Sequence, residues 1–260
     1  MSHPSVSRVG DILNADIAVP EHDREMRFYS RVLTTGETPL WREDLMNNSG
    51  TPIIGLGQRN SDYVHLPIQW MPHIQVADVA VSAERALELG GSELMHGKDD
   101  HGKSEWAVLM DTNGAAFGII PVVSAEADTP RDGSSTREGR ISWLNLTVFD
   151  ASATCGFYRE VINWSVQNVE VESAHQNYVD FNMAGENGSP LARIRHARGV
   201  NIGLPPVWMI HLPVNDIAES VRRVHQEGGE VINATQEGDE EFARVVVKDP
   251  VGAFFTLVPG

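Results

Sequence analysis

The stretch LPIQWMPHIQVAD at residues 66–78 returns as LPPVWMIHLPVND at residues 204–216. Leu66/Leu204, Pro67/Pro205, Trp70/Trp208, Met71/Met209, His73/His211, Val76/Val214 and Asp78/Asp216 match, each pair 138 residues apart. The same spacing relates Gly90-Gly91 to Gly228-Gly229, Asp111 to Asp249, Gly114 to Gly252 and Pro121 to Pro259. A repeat this regular restricts the fold to two copies of one supersecondary plan, each of ordinary domain size. Upstream the offset is 129: Met26, Tyr29, Val32 and Leu33 match Cys155, Tyr158, Val161 and Ile162. The nine extra residues belong to the second copy's middle strands, at 165–183.

Residues 12–19 alternate, with Asn14, Asp16 and Ala18 on one face and Ala15, Ile17 and Val19 on the other, which predicts a strand. The apolar spacing after Pro20 predicts an amphipathic helix. Residues 36–66 predict two or three short strands. Strand and helix then recur: 70–76 is followed by a helix capped by Asp78 and stopped at Gly90-Gly91. Asp111-Thr112-Asn113-Gly114 predicts a turn between two strands. The second copy repeats this from 141, with Asp216-x-x-Glu219 as a capping box and Gly228 as the helix stop. Each copy therefore reads as βαβββ twice. The expected domains are 9–122 (modules 9–66 and 67–122) and 141–260 (modules 141–203 and 204–260), joined by a polar linker at 123–140.

A net charge of −16 argues against nucleic acid and anionic membranes as partners. No apolar run reaches about 18 residues, so no membrane helix is expected. The first residues lack the pattern of a signal peptide, and the single cysteine, Cys155, suits a reducing compartment, so a cytoplasmic location is expected.

Four such modules in tandem pairs, with Phe28-Tyr29 and Phe157-Tyr158 on the helices and Asp-x-x-Gly turns before the closing strands, resemble the vicinal oxygen chelate superfamily. That superfamily includes glyoxalase I, extradiol dioxygenases and bleomycin-resistance proteins. The resemblance implies an α+β fold of two tandem domains. In each, a pair of βαβββ modules forms a U-shaped, mostly antiparallel sheet with helices outside and a cavity within. It also implies a divalent metal held from first and closing strands. Registered on Val19, Val76, Val148 and Val214, the first-strand ligand positions are Asn14, Met71, Trp143 and Met209. The closing-strand positions are Gly118 and Thr256. None is a normal ligand for a hard or borderline divalent ion. No cofactor is therefore expected; Fe, Mn, Ni or Zn enters only if this register is wrong.

Two residues further on lie Asp16, His73, Asn145 and His211, whose parity turns them to the same face. Asp16 opposite His73, and Asn145 opposite His211, would give an acid/base pair and a polar pair. Asp16, His73 and His211 are the candidate catalytic residues. Asn14, Met71, Trp143, Asn145, Met209 and Thr256 are candidates for ligand contact, with Asp16 and His73 as the weak alternative metal set. Structural hydrogen bonding explains the histidines equally well. Trp143 offers a stacking surface for a planar ligand, with Trp106 as a further candidate wall; Trp70 and Trp208 fall in the opposite parity and suit core packing. Gly97–Ser104 spells GxxxxGK[ST], but a strand follows it where a phosphate loop needs a helix, so it reads as a hairpin turn. Cys155 belongs to a buried helix face and reads as inert. His65, His96, His101, His175, His196 and His225 form no ligand spacing and read as surface or loop residues. The expected function is binding of a small organic molecule by a monomer or homodimer. The alternative is glyoxalase-like, hydroxylase or dioxygenase chemistry at a non-standard site.

Overall fold

The computed structural model describes residues 8–123, 138–172, 177–237 and 240–260. Most of the expected linker, and His175, lie outside them. Module one is β1 (Ile12–Val19), α1 (His22–Leu33) and β2 (Ile54–Gln58). Module two is β3 (Met71–Val76), α2 (Val79–Glu88), β4 (Ser92–Lys98), β5 (Ser104–Met110) and β6 (Ala116–Pro121). Module three is β7 (Trp143–Val148), α3 (Ala151–Ile162), β8 (Ser165–Val171), β9 (Tyr178–Ala184) and β10 (Pro190–His196). Module four is β11 (Trp208–Val214), α4 (Ile217–Gln226), β12 (Glu230–Glu237), β13 (Glu240–Lys248) and β14 (Phe254–Pro259). The fold is α+β with open mixed sheets, built from tandem modules as the duplication predicts.

Module one departs from the pattern. Only β2 and two isolated bridges, Trp41↔Asn47 and Met46↔Pro52, form in 36–66. The nine-residue insertion explains the contrast: in module three it completes a β8–β9 hairpin paired from Ser165↔Ala184 to Val171↔Tyr178. Every module joins its first strand to its closing strand in parallel, because a helix lies on the connection between them.

The Asp78 and Asp216 carboxylates cap α2 and α4, accepting from the Val81 and Glu219 amides. The reciprocal half of the expected capping box does not form. Glu219 instead accepts from Arg223 at 2.6 Å and from the Gly36 amide at 3.3 Å. A guanidinium one turn away is a stronger donor than the cap's own N–H.

Contacts gather the modules into two compact units that cut across the sequence halves. The first comprises Met1–Leu13, Met71–Arg131 and Leu144–Trp208; the second comprises Asn14–Trp70, Asp132–Trp143 and Met209–Gly260. In the first unit, α3 lays Phe157 and Tyr158 against Phe117 of β6, with centroids 6.2 and 5.2 Å apart. In the second, α1 lays Phe28 and Tyr29 against Phe255 of β14, at 6.2 and 5.2 Å. A helix from one sequence copy thus packs on the closing strand of the other. The rings are buried and largely edge-on, an arrangement contributing about 0.5–1.5 kcal/mol per pair beyond area burial.

Candidate functional site

The parallel registers set the predicted residues in order. Asp16 stands beside Gly55, His73 beside Gly118, Asn145 beside Arg193 and His211 beside Thr256. Asp16 and His211 belong to the second unit, His73 and Asn145 to the first. Asp16 and His73 are half-buried, whereas Asn145, His211 and Thr256 are buried. Met71 and Met209 are buried, and Trp143 is half-buried. Two acceptors on these strands, Asn14 Oδ1 and Thr147 Oγ1, are buried without a hydrogen-bond partner among the described residues.

Glycine at 55 and 118 has a specific consequence. A Cβ built on Gly118 would collide with the His73 imidazole, and one built on Gly55 would collide with the Asp16 carboxylate. In both modules the first-strand polar side chain occupies the space a closing-strand side chain would need. A side chain at position 118, where the superfamily carries a metal-binding glutamate, would have to displace the His73 ring. Arg193, the closing-strand partner in module three, donates to Asn182 Oδ1 at 2.8 Å and is itself a cation. At the registered ligand positions Asn14, Met71, Trp143, Met209, Gly118 and Thr256 the sequence carries no carboxylate, imidazole or thiolate. Among the described residues no group of three or more His, Cys, Asp or Glu side chains is placed to hold one.

Other expectations resolve individually. Trp106 is half-exposed and lies over Gly97 on the neighbouring strand. Residues 99–103 turn between β4 and β5, with the Asp99 carboxylate accepting from the His101 and Lys103 amides. That is the hairpin expected in place of a phosphate loop. Cys155 is buried, and burial pushes its thiol pKa up. His65, His101 and His225 are exposed. His96 and His196, expected at the surface or in loops, sit in strands and are mostly covered. His96 bonds Glu93 and Ser104, both at 2.8 Å, while the His196 ring lies 3.4 Å from Asp180. Cross-strand carboxylates and hydroxyls recruit these rings, which sequence spacing does not reveal.

The sequence reading missed a duplicated buried relay. In the first unit Trp208 Nε1 donates to the Tyr158 hydroxyl at 2.8 Å, and that hydroxyl donates to Asp111 Oδ2 at 3.2 Å. In the second, Trp70 Nε1 donates to the Tyr29 hydroxyl at 2.9 Å, which donates to Asp249 Oδ2 at 2.8 Å. Both aspartates also accept backbone amides: Asn113 and Ala115 for Asp111, Val251 and Ala253 for Asp249. Burial raises both carboxyls, and these donors hold them down. Burial also keeps both tyrosines protonated far above their usual range. Glu25, fully buried beside Asp249, is pushed up to about 8, first by burial and then by the Asp249 charge. Neither Glu25 carboxyl oxygen has a hydrogen-bond partner among the described residues, so burial beside a second carboxyl favours its neutral form. The repeated Trp, Tyr and Asp were visible in the sequence; their contact was not.

The sequence matches the glyoxalase-like domain family model over residues 13–120 and again over 143–258. A putative glyoxylase, CFP32 of Mycobacterium bovis, is 29% identical over 121 residues, 46% of this chain and 45% of that protein. The match thus spans less than half of that relative. The anthracycline biosynthesis protein DauV of Streptomyces sp. (strain C5) is 26% identical over 200 residues, 76% of this chain and 68% of DauV. The 2,2',3-trihydroxybiphenyl 1,2-dioxygenase of Sphingomonas wittichii shares the fold at a TM-score of 0.53 and 13% identity, over 98% of this chain and 91% of the enzyme. The family model covers most of the chain in two copies that follow the internal repeat, and the chain belongs to the glyoxalase-like family of the vicinal oxygen chelate superfamily.

Proposed function

We propose that this chain binds a small, partly aromatic organic molecule on the concave face of its sheets, without the metal triad of its superfamily. The observation that carries the reading is the pair of glycines, Gly118 and Gly55, over which His73 and Asp16 fold. Polar side chains fill the place of a metal-binding residue and offer hydrogen bonds there instead. The buried acceptors Asn14 Oδ1 and Thr147 Oγ1 support the same reading, since buried polar atoms call for a partner. Met71 and Asn145 complete the proposed lining in the first unit, and His211, Thr256, Met209 and the Trp143 ring complete that in the second. The names of DauV and the trihydroxybiphenyl dioxygenase point to planar aromatic ligands. We further place the protein in the cytoplasm as a monomer or homodimer; no helix among the described residues is long and apolar enough to cross a membrane.

Elemental analysis after equilibration with Mn, Fe, Ni and Zn tests the first half of this proposal. Near-zero occupancy is expected, and about one tightly held metal per chain would overturn it. Thermal-shift screening with hydroxylated aromatic compounds tests the second half.

The second reading is an enzyme in which Asp16, His73 and His211 act as acid and base. It is favoured by the titratable groups at these positions and by the relatives' names. His73→Phe and His211→Phe separate the two readings. Retained ligand affinity with lost turnover of a glyoxalase or ring-cleavage substrate indicates an enzyme. Reduced affinity, in a wild-type protein that turns nothing over, indicates a binding protein.

A further inference from the structure

Phe149 follows β7 directly and is 94% exposed, the largest value among the large apolar residues described. A full phenyl ring in solvent is informative when it borders a concavity. Here it borders a cavity of about 370 Å3 lined by Phe149, Asp150, His196, Ala197 and Arg198. Ligand sites start at about 300 Å3. The cavity lies where β7 and β10 end side by side in parallel and α3 begins, the end at which parallel strands leading into a helix collect ligands.

The charges around it are unevenly committed. Asp150 caps α3, its carboxylate accepting from the Ala153 amide at 3.0 Å. Asp180 accepts from the His196 amide at 3.0 Å and holds the ring Nδ1 at 3.4 Å. The imidazole is thereby fixed, with Nε2 as its other polar atom. Tyr178 braces both groups, edge-on to the His196 ring at 5.9 Å and beneath the Arg198 guanidinium at 5.5 Å. Arg198 pairs with no carboxylate among the described residues. In a chain of net charge −16, a braced and unneutralised arginine at a cavity wall is a place for an anion.

We propose that this cavity is a binding site for a small planar aromatic carboxylate, its carboxylate on Arg198 and His196 and its ring on Phe149. A guanidinium receives a carboxylate through parallel N–H bonds, and an exposed phenyl ring gains by covering an aromatic face. The site uses none of the residues assigned to the concave face, so either proposal stands without the other.

The test is an NMR titration of the full-length 15N-labelled protein with benzoate at fixed ionic strength. Benzamide serves as the neutral isostere and inorganic phosphate as the non-aromatic anion. Benzoate should give saturable shifts confined to the amides of residues 149–151 and 196–199, with affinity at least about tenfold above benzamide and phosphate. Arg198→Gln should remove the preference for benzoate over benzamide, and Phe149→Ser should weaken both. Both side chains are exposed, so the variants should keep the wild-type melting temperature. No saturation by about 10 mM benzoate would overturn the proposal. So would shifts mapping elsewhere, equal affinity for benzoate and benzamide or phosphate, or unchanged binding by Arg198→Gln.

Discussion

The two buried relays begin alike and end differently. In the first unit Asp111 is accompanied by neutral groups: Asn113 Nδ2 lies 3.3 Å from Asp111 Oδ2 and donates to Thr154 Oγ1 at 3.0 Å. In the second unit the repeat puts Val251 where Asn113 stands and Glu25 where Thr154 stands. One polar donor has been lost and one acid gained. The Trp–Tyr–Asp core survives because each member satisfies another's buried polar group, and losing any one leaves the rest unpaired. The flanking pair is free to diverge so long as its charge is managed. Glu25 manages it by keeping its proton.

Removing a tyrosine hydroxyl should give the largest effect. Tyr29→Phe and Tyr158→Phe each leave a buried indole N–H unpaired and an aspartate short of a donor, costing about 2–4 kcal/mol in urea unfolding. At pH 8, Tyr29→Phe should cost more than Tyr158→Phe, because Asp249 then faces an ionising Glu25 with fewer donors. At pH 5 the two costs should converge. Equal costs at both pH values would mean that the relays do not differ as described.

Glu25→Gln should sharpen the comparison. The Glu25 carboxyl rises from its ordinary 4.5 to about 8 on folding, so the folded chain holds a proton that the unfolded chain releases between those values. Stability from this group is therefore full below about 4.5 and is lost as pH rises towards 8. Glutamine, always neutral, should leave stability near pH 4.5 unchanged and raise it at pH 8 by about 1–3 kcal/mol. A wild-type slope that persists in the variant would place its origin elsewhere.

The smallest effect belongs to a feature both units share. Gly228 ends α4 at φ +87°, as Gly90 ends α2 at φ +90°. Gly228→Val forces a β-branched residue into the left-handed region and should cost about 1–2 kcal/mol in thermal unfolding. An unchanged melting temperature would show that the helix end relaxes freely.

Much of this fold is written in local spacing. The alternation at 12–19 returns as β1 with those bounds, and Asp78 and Asp216 cap the helices they were expected to cap. That Asn14 and Asp16, or Met71 and His73, share one face of their strand was legible because β-strand parity is local: a residue two places from another shares its face. The space over Gly118 and Gly55 was not legible, since register between β3 and β6, or between β1 and β2, decides which side chain covers which glycine. The burial of Glu25 beside Asp249 was hidden for the same reason. Nothing in the sequence near Glu25, on an amphipathic helix, marks it as buried against a carboxylate 224 positions away.

The sequence by itself determined the duplication, the module order and the helix caps. These are properties of neighbouring residues and of a repeat that compares the chain with itself. Only the tertiary structure decided that α1 packs on β14 and α3 on β6, and that Phe149, His196 and Arg198 meet around one cavity. The apolar stripe of a helix specifies that it will be buried but not against which sheet. Two duplicated sheets offer nearly the same apolar surface, and the choice between them is settled by how the whole chain closes.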